Sequence, residues 1–175
     1  TRTGKDRAVI LATLKDATPD GRLVVLSPSH DRWAPAPVAT LQQALEQWDE
    51  VAPQLAATGD FPEPLDPARL AAPLPRAWQW LDGSAYHTHA ELMRIAFGHD
   101  PIESDRPLMY QGMSDRFLGP YEDVPLPSEE DGIDFEGEFG VIVDRVPMGT
   151  GPEEALGHIK LLVQINDWSL RAIAP

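Results

Sequence analysis

Three carboxylates stand where the chain could do chemistry. In Ile133-Asp134-Phe135-Glu136-Gly137-Glu138-Phe139-Gly140-Val141-Ile142-Val143 polar and apolar residues alternate with the period of a strand. Side chains two apart point the same way, so Glu136, Glu138, Gly140 and Ile142 share one face. Phe135, Phe139, Val141 and Val143 share the other, which suits a core. The two glutamates then lie roughly 6–7 Å apart at Cα. Like charges that close repel unless a cation or a proton lies between them. For a lone Glu-x-Glu, a polar, solvated sheet face is the plainer reading. The end of the chain argues for more. The apolar run Leu161-Leu162-Val163-Gln164-Ile165 ends in Asn166-Asp167, which places a third carboxylate at a strand terminus. Three converging carboxylates are ligands for a hard divalent cation such as Mg²⁺, Mn²⁺ or Ca²⁺.

Composition narrows the partners. The 175 residues suffice for one domain, or for a small domain plus part of another. The absence of cysteine excludes disulfides, a thiolate zinc site and a cysteine nucleophile, and fits a reducing compartment. A net charge of −14 repels phosphate backbones, so neither nucleic acid nor an anionic membrane is expected as a partner. A small anionic substrate would need local Arg, Lys or metal. No apolar run approaches the ~20 residues of a membrane span. The basic start, Thr1 to Arg7, is not followed by a signal-type apolar segment. The expectation is a soluble cytoplasmic protein. Eighteen prolines argue against an all-helical bundle.

The positioning elements follow in chain order. Ala8 to Leu14 and Arg22 to Leu26 read as a β-hairpin around the turn-rich Lys15–Gly21. A Pro-rich link, Trp33 to Pro37, leads to a helix over Thr40 to Ala57. Its Leu41, Ala44, Leu45, Trp48, Val51, Ala52 and Leu55 fall at helical spacing, with Trp48 expected in the core. Thr40 and Gln43 form a capping box, Pro53 interrupts the last turn, and Gly59 stops the helix. Phe61 to Pro75 reads as a linker, with the domain boundary near Leu74. Trp78 to Leu81 reads as a short strand broken by Asp82-Gly83-Ser84. Ser84 caps a helix carrying Tyr86, His89, Ala90, Met93 and Phe97, and Gly98 ends it. A histidine just past a strand end is well placed for catalysis, since strand-to-helix turns commonly carry catalytic groups. Pro101 to Pro107 is a loop, Ser128 to Asp131 a solvated acidic turn, and Thr150 caps a short helix through Ile159. Asp167 to Arg171 begins a loop or helical turn.

Together these motifs resemble the fumarylacetoacetate hydrolase family. Asp134-Phe135-Glu136-Gly137-Glu138-Phe139 carries the resemblance, with Val146-Pro147-Met148-Gly149 and Ile165-Asn166-Asp167-Trp168-Ser169-Leu170-Arg171. Asp82, six residues and His89 extend it upstream, as does Met109-Tyr110-Gln111-Gly112. The resemblance implies a mixed α+β chain, mainly β. A small N-terminal α/β domain, residues 1–74, precedes the first part of a mixed β-roll over residues 75–175. It implies Glu136, Glu138, Asp167 and Asp82 as metal ligands and His89 as general base. Tyr110 would contact substrate. Ser84 stands where the best-known hydrolases carry an aromatic hydroxyl residue at the substrate. The implied cofactor is Mg²⁺, or Mn²⁺ or Ca²⁺; the implied substrate is a small keto acid; the implied assembly is a homodimer.

The implied chemistry is hydrolysis of a carbon–carbon bond in a β-diketo acid such as an acylpyruvate. The cation polarises the carbonyl as a Lewis acid, neutral His89 takes a proton from water, and the departing carbanion is an enolate. Decarboxylation, isomerisation or hydration on the same scaffold uses the same metal and enolate. A non-catalytic metal-binding half belongs to a different class. Family catalytic domains continue past the Asn-Asp motif to a lysine and a threonine, which are not in this sequence, so a fragment, or half of a shared site, is expected. The isolated chain is therefore predicted to lack turnover; clear metal-dependent turnover by it, measured with an acylpyruvate, contradicts that expectation.

Overall fold

The computed structural model of the chain describes residues 8–98 and 106–173. The basic start and most of the expected 101–107 loop lie outside them. The chain mixes α and β structure in small sheets with four α-helices among the described residues.

The first unit is a four-stranded antiparallel sheet in chain order: β1 (Ile10–Leu14), β2 (Arg22–Leu26), β3 (Arg32–Pro35) and β4 (Glu63–Pro64). Its centre is β2, in which Leu23 to Leu26 are all buried. Leu23 and Val25 face the helices and pack with Leu41, Ala44, Val51 and Leu55. Val24 and Leu26 face the other way, with Ala12, Leu14 and Trp33. Burial on both faces explains why β2 is a continuous apolar run. The β1–β2 turn needs Gly21: its φ is +60°, and a Cβ there would sit 2.6 Å from the Leu14 carbonyl oxygen.

Several expected elements are shifted. The stretch from Trp33 is not simply a link, because Arg32–Pro35 adds β3 to the sheet. The single helix over Thr40–Ala57 is two, α1 (Leu41–Glu46) and α2 (Trp48–Ala56), parted at Gln47. Thr40 does cap α1 by accepting from the Gln43 N–H, but Gln43 reaches back to the Ala39 N–H rather than to Thr40. Pro53 sits inside α2 without ending it. Trp48 is half-buried against the core. The expected linker from Phe61 is folded onto the sheet. It supplies β4, a 3₁₀ turn at Pro67–Arg69, and a bridge from Leu70 to Leu14. Proline is tolerated there because β4 is an edge strand.

The second part is built from two hairpin-like pairs. Strand β5 (Leu81–Gly83) pairs with β6 (Met109–Gln111), with α3 (His87–Phe97) between them in sequence. Asp82 therefore lies inside a strand, and the cap of α3 is Tyr86 rather than Ser84. Gly98 closes α3 in the left-handed conformation, as its position predicts. Strand β7 (Ile133–Val143) has the expected bounds and pairs along its length with β8 (Ile159–Leu170). The connection holds α4 (Pro152–Ala155), capped at Gly151; Thr150 instead donates its hydroxyl to the Pro147 carbonyl. Because β8 runs on to Leu170, Asp167 lies within a strand rather than at its end.

The β7–β8 ribbon is tied down at its closed end. Ile142 and Leu161, partners across the strands, pack against the Leu23 cluster of the first unit. Asp144 there pairs with His158 at 2.5 Å and Lys160 at 3.0 Å, which hold its carboxyl below the usual carboxylate range. The apolar face of the ribbon does not enter a core. Phe135 and Phe139 are 57% and 84% exposed, and Val141, Val143 and Leu162 are exposed too. Alternation fixes which residues share a face, not which face is covered. Among the described residues no helix is long and apolar enough to cross a membrane.

The two kinds of apolar position should respond differently to truncation. Leu23→Ala is expected to cost about 2–5 kcal/mol in denaturant unfolding, whereas Phe139→Ser should stay within about 0.5 kcal/mol. A large loss at Phe139 would contradict the exposed face.

Candidate functional site

The carboxylates meet on the half-buried face of the ribbon. In the β7–β8 register Glu136 lies directly opposite Asp167, and Glu138 opposite Ile165. Opposed residues of an antiparallel pair share a face, so Glu136 and Asp167 point the same way, and Glu138 follows by the two-residue period. The shorter β5–β6 pair brings two more groups. Asp82 is opposite Tyr110, and the Tyr110 hydroxyl donates to Asp167 Oδ2 at 3.0 Å.

The electrostatics confirm the crowding. Burial raises the pKa of Glu138 above the ordinary glutamate value, and the charges of Asp82, Asp167 and Glu136 raise it further. Asp167 is also raised, first by burial and then by Asp82 and Glu136, against the lowering effect of the Tyr110 hydrogen bond and Arg171. The Tyr110 hydroxyl is held protonated by burial and by its bond to Asp167, reinforced by the Asp82 and Glu138 charges. Glu138, Asp167 and Tyr110 thus each respond to neighbouring carboxylates.

Two supports were not legible as site residues. Trp80 meets Tyr110 edge-on at 5.6 Å between ring centroids. Gly112 leaves room for that indole; a Cβ there would sit 2.3 Å from Trp80 Cε3. Arg171 donates from Nε to Asp134 Oδ2 at 2.9 Å and from Nη2 to Glu136. The signal for it lies in the strand period: if β8 continues, Asp167, Ser169 and Arg171 fall on one face.

Other expected residues are not brought in. His89 is half-buried in α3 but hydrogen-bonds to none of the carboxylates among the described residues. Ser84 is exposed, and its backbone N–H is bonded to the Leu108 carbonyl. The oxygen donors have the chemistry of a hard-cation site. Yet among the described residues no three His, Cys, Asp or Glu are set to hold a metal ion. The carboxylates are instead engaged by neighbours, Asp167 by Tyr110 and Glu136 by Arg171.

Comparison with known proteins decides the family. Residues 79–175 match the family described as fumarylacetoacetate (FAA) hydrolase C-terminal, and residues 9–76 match fumarylacetoacetase N-terminal domain 2. The chain belongs to the fumarylacetoacetate hydrolase family. No individually curated protein matches it. Fumarylacetoacetate hydrolase family domains are typically enzymes of the hydrolase and lyase type, including isomerases and decarboxylases. All five clustered residues, Asp82, Tyr110, Glu136, Glu138 and Asp167, lie within the match to this family's C-terminal domain.

The raised Glu138 pKa has a measurable sign. A carboxyl whose folded pKa exceeds its unfolded value destabilises the fold once pH rises through that interval. Glu138→Gln in chelator should therefore be more stable than the parent at neutral pH, and the gain should fade as pH drops below the ordinary glutamate value of 4.5. Chemical denaturation across pH measures it; a gain that grows toward acid pH contradicts the assignment.

Proposed function

We propose that this chain belongs to a divalent-cation-dependent hydrolase that cleaves a carbon–carbon bond in a β-diketo acid such as fumarylacetoacetate or an acylpyruvate. The observation that carries the reading is that Glu136 lies opposite Asp167 across the ladder, with the charges of Asp82, Asp167 and Glu136 all felt at Glu138 and the Tyr110 hydroxyl bonded to Asp167. In this reading those four carboxylates would hold Mg²⁺, Mn²⁺ or Ca²⁺, which when bound would supply Lewis-acid polarisation of a substrate carbonyl. Tyr110, kept protonated, offers an O–H to a substrate oxygen or to Asp167. His89 takes the proton from the water that attacks the carbonyl, a role that rests on the family resemblance of the segment from Asp82 to His89. Ser84, at the start of the β5–α3 connection, is the substrate-side residue by family resemblance alone. The finer fold is the family's mixed β-roll, working as a homodimer in the cytoplasm.

Decarboxylation, isomerisation or hydration of a 2-keto acid requires the same ligands. A non-catalytic metal-binding role is favoured by one observation, the lack of any hydrogen bond from His89 to the cluster. Product analysis with acylpyruvates against oxaloacetate separates the reactions, and turnover of neither supports the non-catalytic role. For the metal itself, Glu138→Gln and Asp167→Asn should each weaken Mn²⁺ binding at least about tenfold, read by electron paramagnetic resonance. Unchanged affinity in both removes the proposed site.

A further inference from the structure

The Arg171 guanidinium is forked between two carboxylates of β7, one proposed to bind the cation and one not. Its Nε donates to Asp134 and its Nη2 to Glu136. The fork is half-buried on its Glu136 side and open on its Asp134 side: the Arg171 side chain is 24% exposed, that of Glu136 19% and that of Asp134 48%. Its base is fixed by the backbone. The Arg171 N–H bonds to the Gly132 carbonyl at 2.8 Å and the Ala172 N–H to that of Asp131 at 3.0 Å. Gly132 turns there with φ +70°, and a Cβ on it would press on the Ala172 nitrogen at 3.1 Å. Arg171 thus emerges from a fixed point, and only its side chain is free to redistribute.

We propose that Asp134 and Arg171 form a positioning pair that controls the availability of Glu136: the guanidinium neutralises Glu136 in the metal-free chain and retreats onto Asp134 when a divalent cation takes that carboxylate. The inference rests on the proposed cation site. Its physics is competition. A guanidinium and a divalent cation both seek the Glu136 oxygens, and at a few ångströms in a half-buried site the two cations repel strongly. Without Arg171 the opposed Glu136 and Asp167 would face each other without the guanidinium now bonded to Glu136. Without Asp134 the guanidinium would have Glu136 as its one carboxylate partner among those it now contacts.

Mn²⁺ titration of the full chain, followed by electron paramagnetic resonance, tests this with four variants. Arg171→Gln is expected to lower the melting temperature of the metal-free chain and to tighten Mn²⁺ binding about tenfold. Asp134→Asn is expected to weaken binding severalfold in the parent and to have no effect in the Arg171→Gln background. That non-additivity marks direct coupling. An equal weakening in both backgrounds is a plain charge effect and overturns the pair, as does an Arg171→Gln chain that binds Mn²⁺ no more tightly. Should Arg171→Gln fail to fold by circular dichroism, Arg171→Lys replaces it, keeping the charge while losing the fork; affinity and coupling equal to the parent then overturn the pair. Glu136→Gln separates the two levels. If it leaves Mn²⁺ affinity unchanged, the cation site itself fails; if it weakens binding while Arg171→Gln does not tighten it, only the pairing fails.

Discussion

The structure around the site depends on a repulsion. Glu136 and Asp167 are paired directly across the β7–β8 ladder, an arrangement that costs stability in any sheet. Glu138 and Asp82 add to it; Glu138 and Asp167 are raised first by burial and then by these neighbouring charges. Such charge is held together because the ribbon is fixed elsewhere. Its closed end is packed through Ile142 and Leu161 onto the first unit and clamped by Asp144, His158 and Lys160. The small domain therefore matters to the site without contributing a group to it. Local instability concentrated at a functional site and offset by packing remote from it is a general pattern in proteins.

Two neighbours moderate the repulsion, and each does so from a defined anchor. Tyr110 reaches Asp167 from β6, its ring steadied by Trp80. Arg171 reaches Glu136 from the end of β8, its backbone bonded to the turn before β7. The site is thus assembled from two strand pairs whose elements are far apart in sequence, Asp82 and Asp167 being at opposite ends of the second part. The opposite face of the ribbon carries Phe135 against Trp168, edge-on at 5.4 Å, with Phe139 and Leu162 exposed.

Much of this was legible where the signal is local. Two-residue alternation gave the bounds of β7 and the shared face of Glu136 and Glu138, because the pleat leaves no alternative. The β1–β2 hairpin and the Gly98 stop of α3 follow from turn and cap chemistry. What failed depended on partners. In the sequence Asp167 reads as a strand end because the apolar run Leu161–Ile165 stops at Asn166-Asp167; pairing with Ile133–Phe135 extends the strand to Leu170. The Arg171 fork was missed for the same reason. Ser84 was read as a cap because its residue type favours one, yet its N–H closes the β5–β6 pair instead. The phenylalanine face was assigned to a core because the pattern tells sidedness, whereas coverage is decided by whatever packs on it.

The central claim is that the clustered carboxylates are a divalent-cation site. The most direct measurement is anomalous diffraction from crystals of the chain grown with Mn²⁺. A single anomalous peak about 2.0–2.3 Å from carboxylate oxygens of Glu136, Glu138 and Asp167 is predicted. Crystals that hold Mn²⁺ elsewhere, with the Tyr110–Asp167 and Arg171–Glu136 contacts undisturbed, would contradict it.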